Sequence, residues 1–315
     1  MVNRPASAAA PGKVILFGEH AVVYGQPAIA APVHQVRATA SVEPGAPGSG
    51  LTLAAVDLDQ VVALTQAPQD DPLAAMARLT LAHLGTSPPD ATLTIHSTIP
   101  IASGMGSGTA VSTAIVRALA ACLGRQLATE TVSALVYEVE KLHHGTPSGI
   151  DNTVVAYGMP VYFVRGGAIE TFGVGAALHL LIGDTGVASS TRVAVGDVRR
   201  AWEGDRPSYE RLFAQVGEVV GRARDLIEAG GEAVRLGALM DCNHELLRLM
   251  DVSSPELEQL VTAARAAGAL GAKLSGAGRG GNMIALVEPG DEARVAEALH
   301  QAGAVRVIET ALPAS

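Results

Sequence analysis

The sequence predicts an α+β fold of two lobes, and three observations carry that expectation. The chain has 315 residues, and at roughly 100–200 residues per domain this length suggests two domains or one large α/β unit. Helical and extended patterns are interleaved, but at spacings too irregular for a doubly wound parallel sheet. The pattern also changes near residues 165–178, so an N-terminal domain over 1–170 and a C-terminal domain over 171–315 are expected.

In chain order, residues 13–17 and 28–42 read as strands, rich in Val, Ile and Thr between Gly and Pro breaks. Residues 43–50 read as a loop and 51–64 as a strand–turn mixture. Leu73, Met76, Ala77, Thr80, Leu81 and Leu84 recur at helical spacing and predict a helix over 71–84. Residues 92–97 alternate as a strand should and run into Pro100 and a Gly/Ser cluster. Helices are expected over about 107–123 and 130–143, then a strand near 159–164. Beyond it come a buried strand over 177–184 and helices over about 207–229, 232–249 and 255–267. A Gly-rich turn at 276–281, a strand at 282–287, a helix over about 291–302 and a strand at 305–310 close the chain. Trp202, the sole tryptophan, reads as the end of a helix.

The composition excludes several classes of protein. With 48% hydrophobic and 17% charged residues, the chain has enough apolar side chains to bury a core and is not disordered. A net charge of −9 argues against a nucleic-acid protein, which would show a basic face. It leaves a phosphate site open, because local geometry rather than net charge holds phosphates. No apolar run reaches the roughly 18 residues of a membrane span, and the Ala-rich start lacks the apolar core of a signal peptide. Cys122 and Cys242 offer neither a disulfide framework nor zinc spacing, and read as thiols in a reducing cytoplasm. Of 22 basic residues only Lys13, Lys141 and Lys273 are lysine. An ammonium is a compact point charge where a guanidinium is a planar fork, so each lysine draws attention.

Four segments carry the polar groups on which chemistry could rest. Pro100-Ile-Ala-Ser-Gly-Met-Gly-Ser-Gly-Thr-Ala takes a strand through glycines into a helix. Glycines let backbone approach an anion, and a helix N-terminus offers unpaired N–H groups, so this can cradle phosphates. It equally fits an ordinary tight turn. Glu140-Lys-Leu-His-His-Gly-Thr-Pro-Ser-Gly-Ile-Asp puts Glu140 near a helix end and Asp151 beyond a tight turn. Asp151 could serve as general base and Glu140 as a magnesium ligand. On these residues alone, a turn aspartate and a solvated helix face remain open. Lys273-Leu-Ser-Gly-Ala-Gly-Arg-Gly-Gly reads as a hairpin or as backbone amides aimed at a ligand. In Pro11-Gly-Lys-Val-Ile-Leu-Phe-Gly-Glu-His-Ala-Val-Val-Tyr-Gly a strand leads directly to Glu19, His20 and Tyr24. His143 and His144 lack metal spacing and read as polar residues at a helix end.

Taken together and in this order, the motifs resemble the GHMP kinase superfamily and, within it, the mevalonate kinase family. The segments 144–152 and 184–191 are similar to that family too, and the resemblance spans residues 11 to 287. It implies a two-lobed fold: an N-terminal lobe with βαβ elements like those of ribosomal protein S5, a C-terminal α/β sandwich lobe, and the active site in the cleft. It also implies ATP as phosphoryl donor, Mg2+ as its metal and the 5-hydroxyl of (R)-mevalonate as acceptor, in a family whose members are often homodimers; with the cysteine usage above, a cytoplasmic enzyme is expected.

By position, Asp151 resembles the catalytic aspartate and Lys13 the lysine beside it. Glu19, His20 and Thr191 match mevalonate-contacting positions. Ser103, Gly104, Met105, Gly106, Ser107, Gly108, Thr109 and Ala110 match the ATP phosphate loop. Gly276, Ala277, Gly278, Gly280 and Gly281 match the loop that closes the site, and Glu140 matches the magnesium-binding glutamate. One departure stands out. Gly108 occupies the place of a metal-binding serine, so Ser107, Thr109 or a water would supply that oxygen. Another GHMP kinase, acting on phosphomevalonate, homoserine or a sugar, is the alternative reading. A catalytically inactive ATP or metabolite sensor is a more distant one, since both Asp151 and Lys13 are present.

Overall fold

A computed structural model describes residues 4–100, 103–144 and 147–315; the side chains of His143 and His144 lie outside the described set. The helix they were expected to end is described as far as His144. By compactness the chain forms two units that exchange segments in sequence. One holds the described residues of Met1–Gly12, Val36–Pro100 and Gly106–Gly158; the other holds those of Lys13–Gln35, Ile101–Met105 and Met159–Ser315. This interleaving is finer than a single cut at 170. Two long strands, β1 (Ala6–Phe17) and β2 (Ala28–Pro44), give residues to both units. Both outrun their expected limits. Glu43 and Pro44 pair with Thr92 and Ala91, so the loop expected at 43–50 starts after Pro44.

In the first unit, β3 (Leu51–Ala55), β4 (Gln60–Ala63) and β5 (Ala91–Ser97) form a sheet with the C-terminal part of β2, in the order β4-β3-β5-β2. β3 and β5 run parallel, with Leu53 opposite Leu93, and α1 (Pro72–Leu84) makes the crossover that parallel strands require. Asp71 caps α1 by accepting from the Ala74 N–H at 2.7 Å, and Gly85 ends it in the left-handed conformation. α2 (Ser107–Cys122), α3 (Thr129–His144) and α4 (Ile150–Tyr157) complete the unit. Met76, Leu93, Ile115, Leu119 and Val136 are central to its core. Cys122 is buried there, and Cys242 of the other unit is exposed.

The second unit contains an antiparallel sheet ordered β11-β8-β10-β9, from β8 (Leu178–Asp184), β9 (Gly271–Ser275), β10 (Asn282–Val287) and β11 (Arg306–Leu312). β6 (Val161–Phe163) pairs with the start of β2, and β7 (Glu170–Thr171) pairs with β6. Five helices complete it: α5 (Thr191–Gly204), α6 (Arg206–Ala229), α7 (Ala233–Leu249), α8 (Pro255–Ala266) and α9 (Glu292–Gln301). Trp202 lies in the last turn of α5, as the helix-end reading expects. α7 packs on β9 at backbone contact: a Cβ on Gly237 would sit 2.2 Å from the Leu270 carbonyl oxygen, so only glycine fits.

Candidate active site

Within the first unit, the polar residues gather at the N-termini of α2 and α4. Gly106 starts α2 in the left-handed conformation (φ 72°), and among the described residues no side chain caps the first turn. Its leading N–H groups therefore lack the side-chain acceptor that most helices supply, which suits an anion. A Cβ at Gly108 would meet nothing within 4 Å. The glycine is thus not imposed by packing. The Thr109 hydroxyl, one residue on, donates to the Glu140 carboxylate of α3. Thr109 is buried and Glu140 half-buried, which replaces the solvated-face reading of Glu140. Among the described residues no cluster of three or more His, Cys, Asp or Glu side chains could hold a metal. A carboxylate meeting a hydroxyl is nonetheless the oxygen donor set of a hard cation such as magnesium.

Asp151 stands in the first turn of α4, a helix missed on the sequence, where a carboxylate suits the helix dipole. Its neighbours fix the helix. Asn152 donates its amide to the Ser133 hydroxyl at 2.9 Å and to the Ser133 carbonyl at 3.2 Å, while Thr153 bonds back to the Gly149 carbonyl at 2.7 Å. The half-buried Asp151 is thereby held from the residues that follow it.

The second unit gathers Lys13, Glu19, His20, Thr191 and the third motif. Lys13 is buried, and its backbone N–H donates to the Met105 carbonyl at 3.0 Å. Residues 276–281 form the loop of the β9–β10 hairpin, and its four glycines all have positive φ. A Cβ on Gly278 would lie 1.9 Å from the Val252 carbonyl oxygen, so the loop fits its seat only without one. Asn282 donates to the Ser103 carbonyl at 2.5 Å, Thr185 bonds the Gly281 carbonyl at 2.8 Å, and the Arg279 guanidinium reaches Asp197 and the Asp251 carbonyl. A small cleft brings Ser103, Gly104, Ser189 and Thr191 together with Ser275 and Ala277.

His20 has φ 59°, a strained position for a non-glycine residue of the kind that marks functional sites. Its Nε2 lies 3.0 Å from the Ala277 carbonyl. A carbonyl only accepts, so this nitrogen carries the proton. Burial pushes the imidazole down to about 4, with Arg279 nearby adding to the effect, and the ring is neutral at neutral pH. Its Nδ1 is then a lone pair, buried without a hydrogen-bond partner among the described residues, and a ligand hydroxyl would satisfy it.

Glu19 meets Lys273 in a buried ion pair, and Asn243 donates to its other oxygen at 3.2 Å. Lys273 and Asn243 are the residues that sequence reasoning left without a role. The scarcity of lysine was the one available signal for Lys273. Lys141, by contrast, is exposed and pairs with Glu138. Tyr24 also parts from its neighbours in sequence, stacking on Phe213 at 4.1 Å with Trp202 alongside.

Known proteins give this geometry its context. The family description "GHMP kinases N terminal domain" matches residues 72–159, and "GHMP kinases C terminal" matches 222–305. A mevalonate kinase of Thermococcus onnurineus is 36% identical over 96% of this chain and 94% of its own length. One of Aeropyrum pernix is 35% identical over 95% and 93%. The crystal structure of L. major mevalonate kinase in complex with R-mevalonate superimposes with a TM-score of 0.84 at 31% identity, covering 98% of this chain and 96% of that one. A Streptococcus pneumoniae phosphomevalonate kinase shares the fold (TM-score 0.81) at only 18% identity, so the fold alone does not select the substrate. The full-length identity does discriminate, and the chain belongs to the mevalonate kinase family of the GHMP kinases.

Proposed function

We propose that this enzyme transfers the γ-phosphoryl group of ATP to the 5-hydroxyl of (R)-mevalonate, giving 5-phosphomevalonate and ADP. The observation that carries the reading is the full-length likeness to mevalonate kinases, together with the presence of Lys13, Glu19, His20, Glu140 and Asp151 in the motif segments. Asp151 accepts the hydroxyl proton as the oxygen attacks phosphorus, the bond from phosphorus to the β–γ bridging oxygen breaks, and ADP leaves. Lys13 supplies positive charge to the developing transition state. Residues 103–110 cradle the phosphates, and 276–281 close over the substrate. His20, through its bare Nδ1, and Glu19, an acceptor when ionised, take mevalonate hydroxyls, with Thr191 contacting the same substrate.

Glu140 and Thr109 would hold magnesium, and the bond between them favours Thr109 over Ser107 for that role. When bound, the ion neutralises phosphate charge. Cytoplasmic residence and a homodimer belong to the same proposal, and light scattering tests the second.

Release of ADP from MgATP with (R)-mevalonate, phosphomevalonate, homoserine and galactose tests the substrate. Turnover of about 1–100 per second with mevalonate alone is expected. Turnover with another alcohol alone would refute the assignment.

A further inference from the structure

Gly18, Glu19 and His20 are consecutive, and each is tied to a distant part of the same unit. The Gly18 N–H donates to the Asn243 side-chain oxygen at 3.4 Å, and the Asn243 amide donates to Glu19. The other Glu19 oxygen meets Lys273 of β9, and His20 bonds the closing loop at Ala277. The turn is costly to form. Gly18 has φ 97° and His20 φ 59°, and a Cβ on Gly18 would lie 2.5 Å from Ala28. A strained turn persists only where its surroundings over-determine it.

Lys273 is the most unusual of these supports. It has no exposed surface, and an unpaired ammonium there would be expensive. Burial pushes its pKa down while Glu19 pulls it up. Its remaining bond is to the Leu274 carbonyl of its own strand. Ser275, two residues on, bonds both the N–H and the carbonyl of Ile15 at 3.0 Å, so β9 also holds the strand that leads into the turn.

We propose that Lys273 is a positioning residue for phosphoryl acceptor binding. Its ammonium holds one oxygen of the Glu19 carboxylate and Asn243 fixes the other, so that Glu19 presents its remaining lone pairs to a substrate hydroxyl. The assignment rests on the functional reading above. Each carboxylate oxygen has two acceptor sites, and the two named bonds leave half of that capacity for a ligand. Without Lys273 the buried Glu19 carboxylate loses its ion-pair partner and the bond that fixes one of its oxygens.

The chain suits a direct test, because lysine-selective 15N labelling yields three side-chain signals, from Lys13, Lys141 and Lys273. At neutral pH the signal that Lys273→Met removes should be a slowly exchanging ammonium, and Glu19→Gln should shift it. In kinetics, Lys273→Met should raise KM for mevalonate at least about 10-fold, the scale of one hydrogen bond to a charged group, and leave KM for ATP within about twofold. Asn243→Ala should move KM in the same direction by severalfold, which keeps the test open if Lys273→Met folds poorly. The double variant Glu19→Gln/Lys273→Met removes both charges; it should recover the melting temperature but not KM.

An unchanged mevalonate KM in both single variants would overturn the assignment. So would a double variant that recovers KM together with stability, which marks a purely structural pair. Wild-type turnover is measured first. Its absence with mevalonate overturns the functional reading itself, whereas turnover with unaltered variant KM overturns only the role of Lys273.

Discussion

Lowering the pH should destabilise the protein through His20, and the amount follows from its surroundings. In the folded chain the imidazole sits at about 4, against an ordinary 6.5, because burial penalises the cation. Between those values the unfolded chain binds a proton that the folded chain refuses, so stability falls as pH drops through this window. From pH 7 to pH 5 the linkage amounts to about 2 kcal/mol, rising to about 3 kcal/mol by pH 4. His244, fully buried, is lowered in the same direction by burial, against the pull of Glu258, so the wild type should lose more than His20 alone accounts for. His20→Gln isolates the His20 part, since a Gln amide can still donate to the Ala277 carbonyl. Urea unfolding followed by fluorescence is the assay. Trp202, the sole tryptophan, lies in the same unit as His20 and 5.2 Å from Tyr24. Between pH 7 and pH 5 the variant should lose about 2 kcal/mol less than the wild type. Equal losses would refute the buried, neutral imidazole and the bare Nδ1 on which the substrate contact depends.

Other substitutions test other parts of the site. Glu140→Gln and Thr109→Val should each raise the magnesium concentration needed for half-maximal turnover and lower kcat by about 10-fold or more, read from ADP release across a magnesium titration. Gly108→Ser should fold normally, since its Cβ meets nothing within 4 Å. It should leave the melting temperature within about 1 °C and lower the magnesium requirement; an unchanged requirement would show that position 108 is not near the metal. Gly278→Ala drives a Cβ against the Val252 carbonyl, 1.9 Å away. It should displace the closing loop and cost about 100-fold in kcat/KM, the scale expected when positioning is lost.

Much of the fold was legible because its segments carry strong local signals. The helix at 71–84 has a capping aspartate, Pro72 and a terminal Gly85, and the strand at 282–287 is a mostly apolar run between Gly281 and the turn residues Glu288-Pro289-Gly290. The elements that were missed lack such signals, each for its own reason. All five residues of β9 are buried, so it shows no alternation and hides a lysine in its centre. α4 is eight residues long, too short for a helical period to register. α5 buries only Ala194 and Val198, so its polar sequence shows a helix end at Trp202 but not the start of the helix. In the candidate site, Glu19, His20 and Thr191 are singled out by motif wording. Asn243 was not, because it lies on an amphipathic helix, 224 residues along the chain from Glu19. Only the packing of α7 on β9 explains its burial.

The most direct test of the catalytic assignment follows phosphorus by 31P NMR as the purified protein acts on MgATP and (R)-mevalonate, beside Asp151→Asn. The account predicts a single phosphomonoester, coupled to the C5 protons of mevalonate, forming as ATP is consumed. It predicts that Asp151→Asn slows this at least 1,000-fold, by order of magnitude for loss of a general base, with little change in KM for either substrate and an unchanged melting temperature. A phosphoester at the 3-hydroxyl, or an Asp151→Asn enzyme that turns over at the wild-type rate, would contradict it.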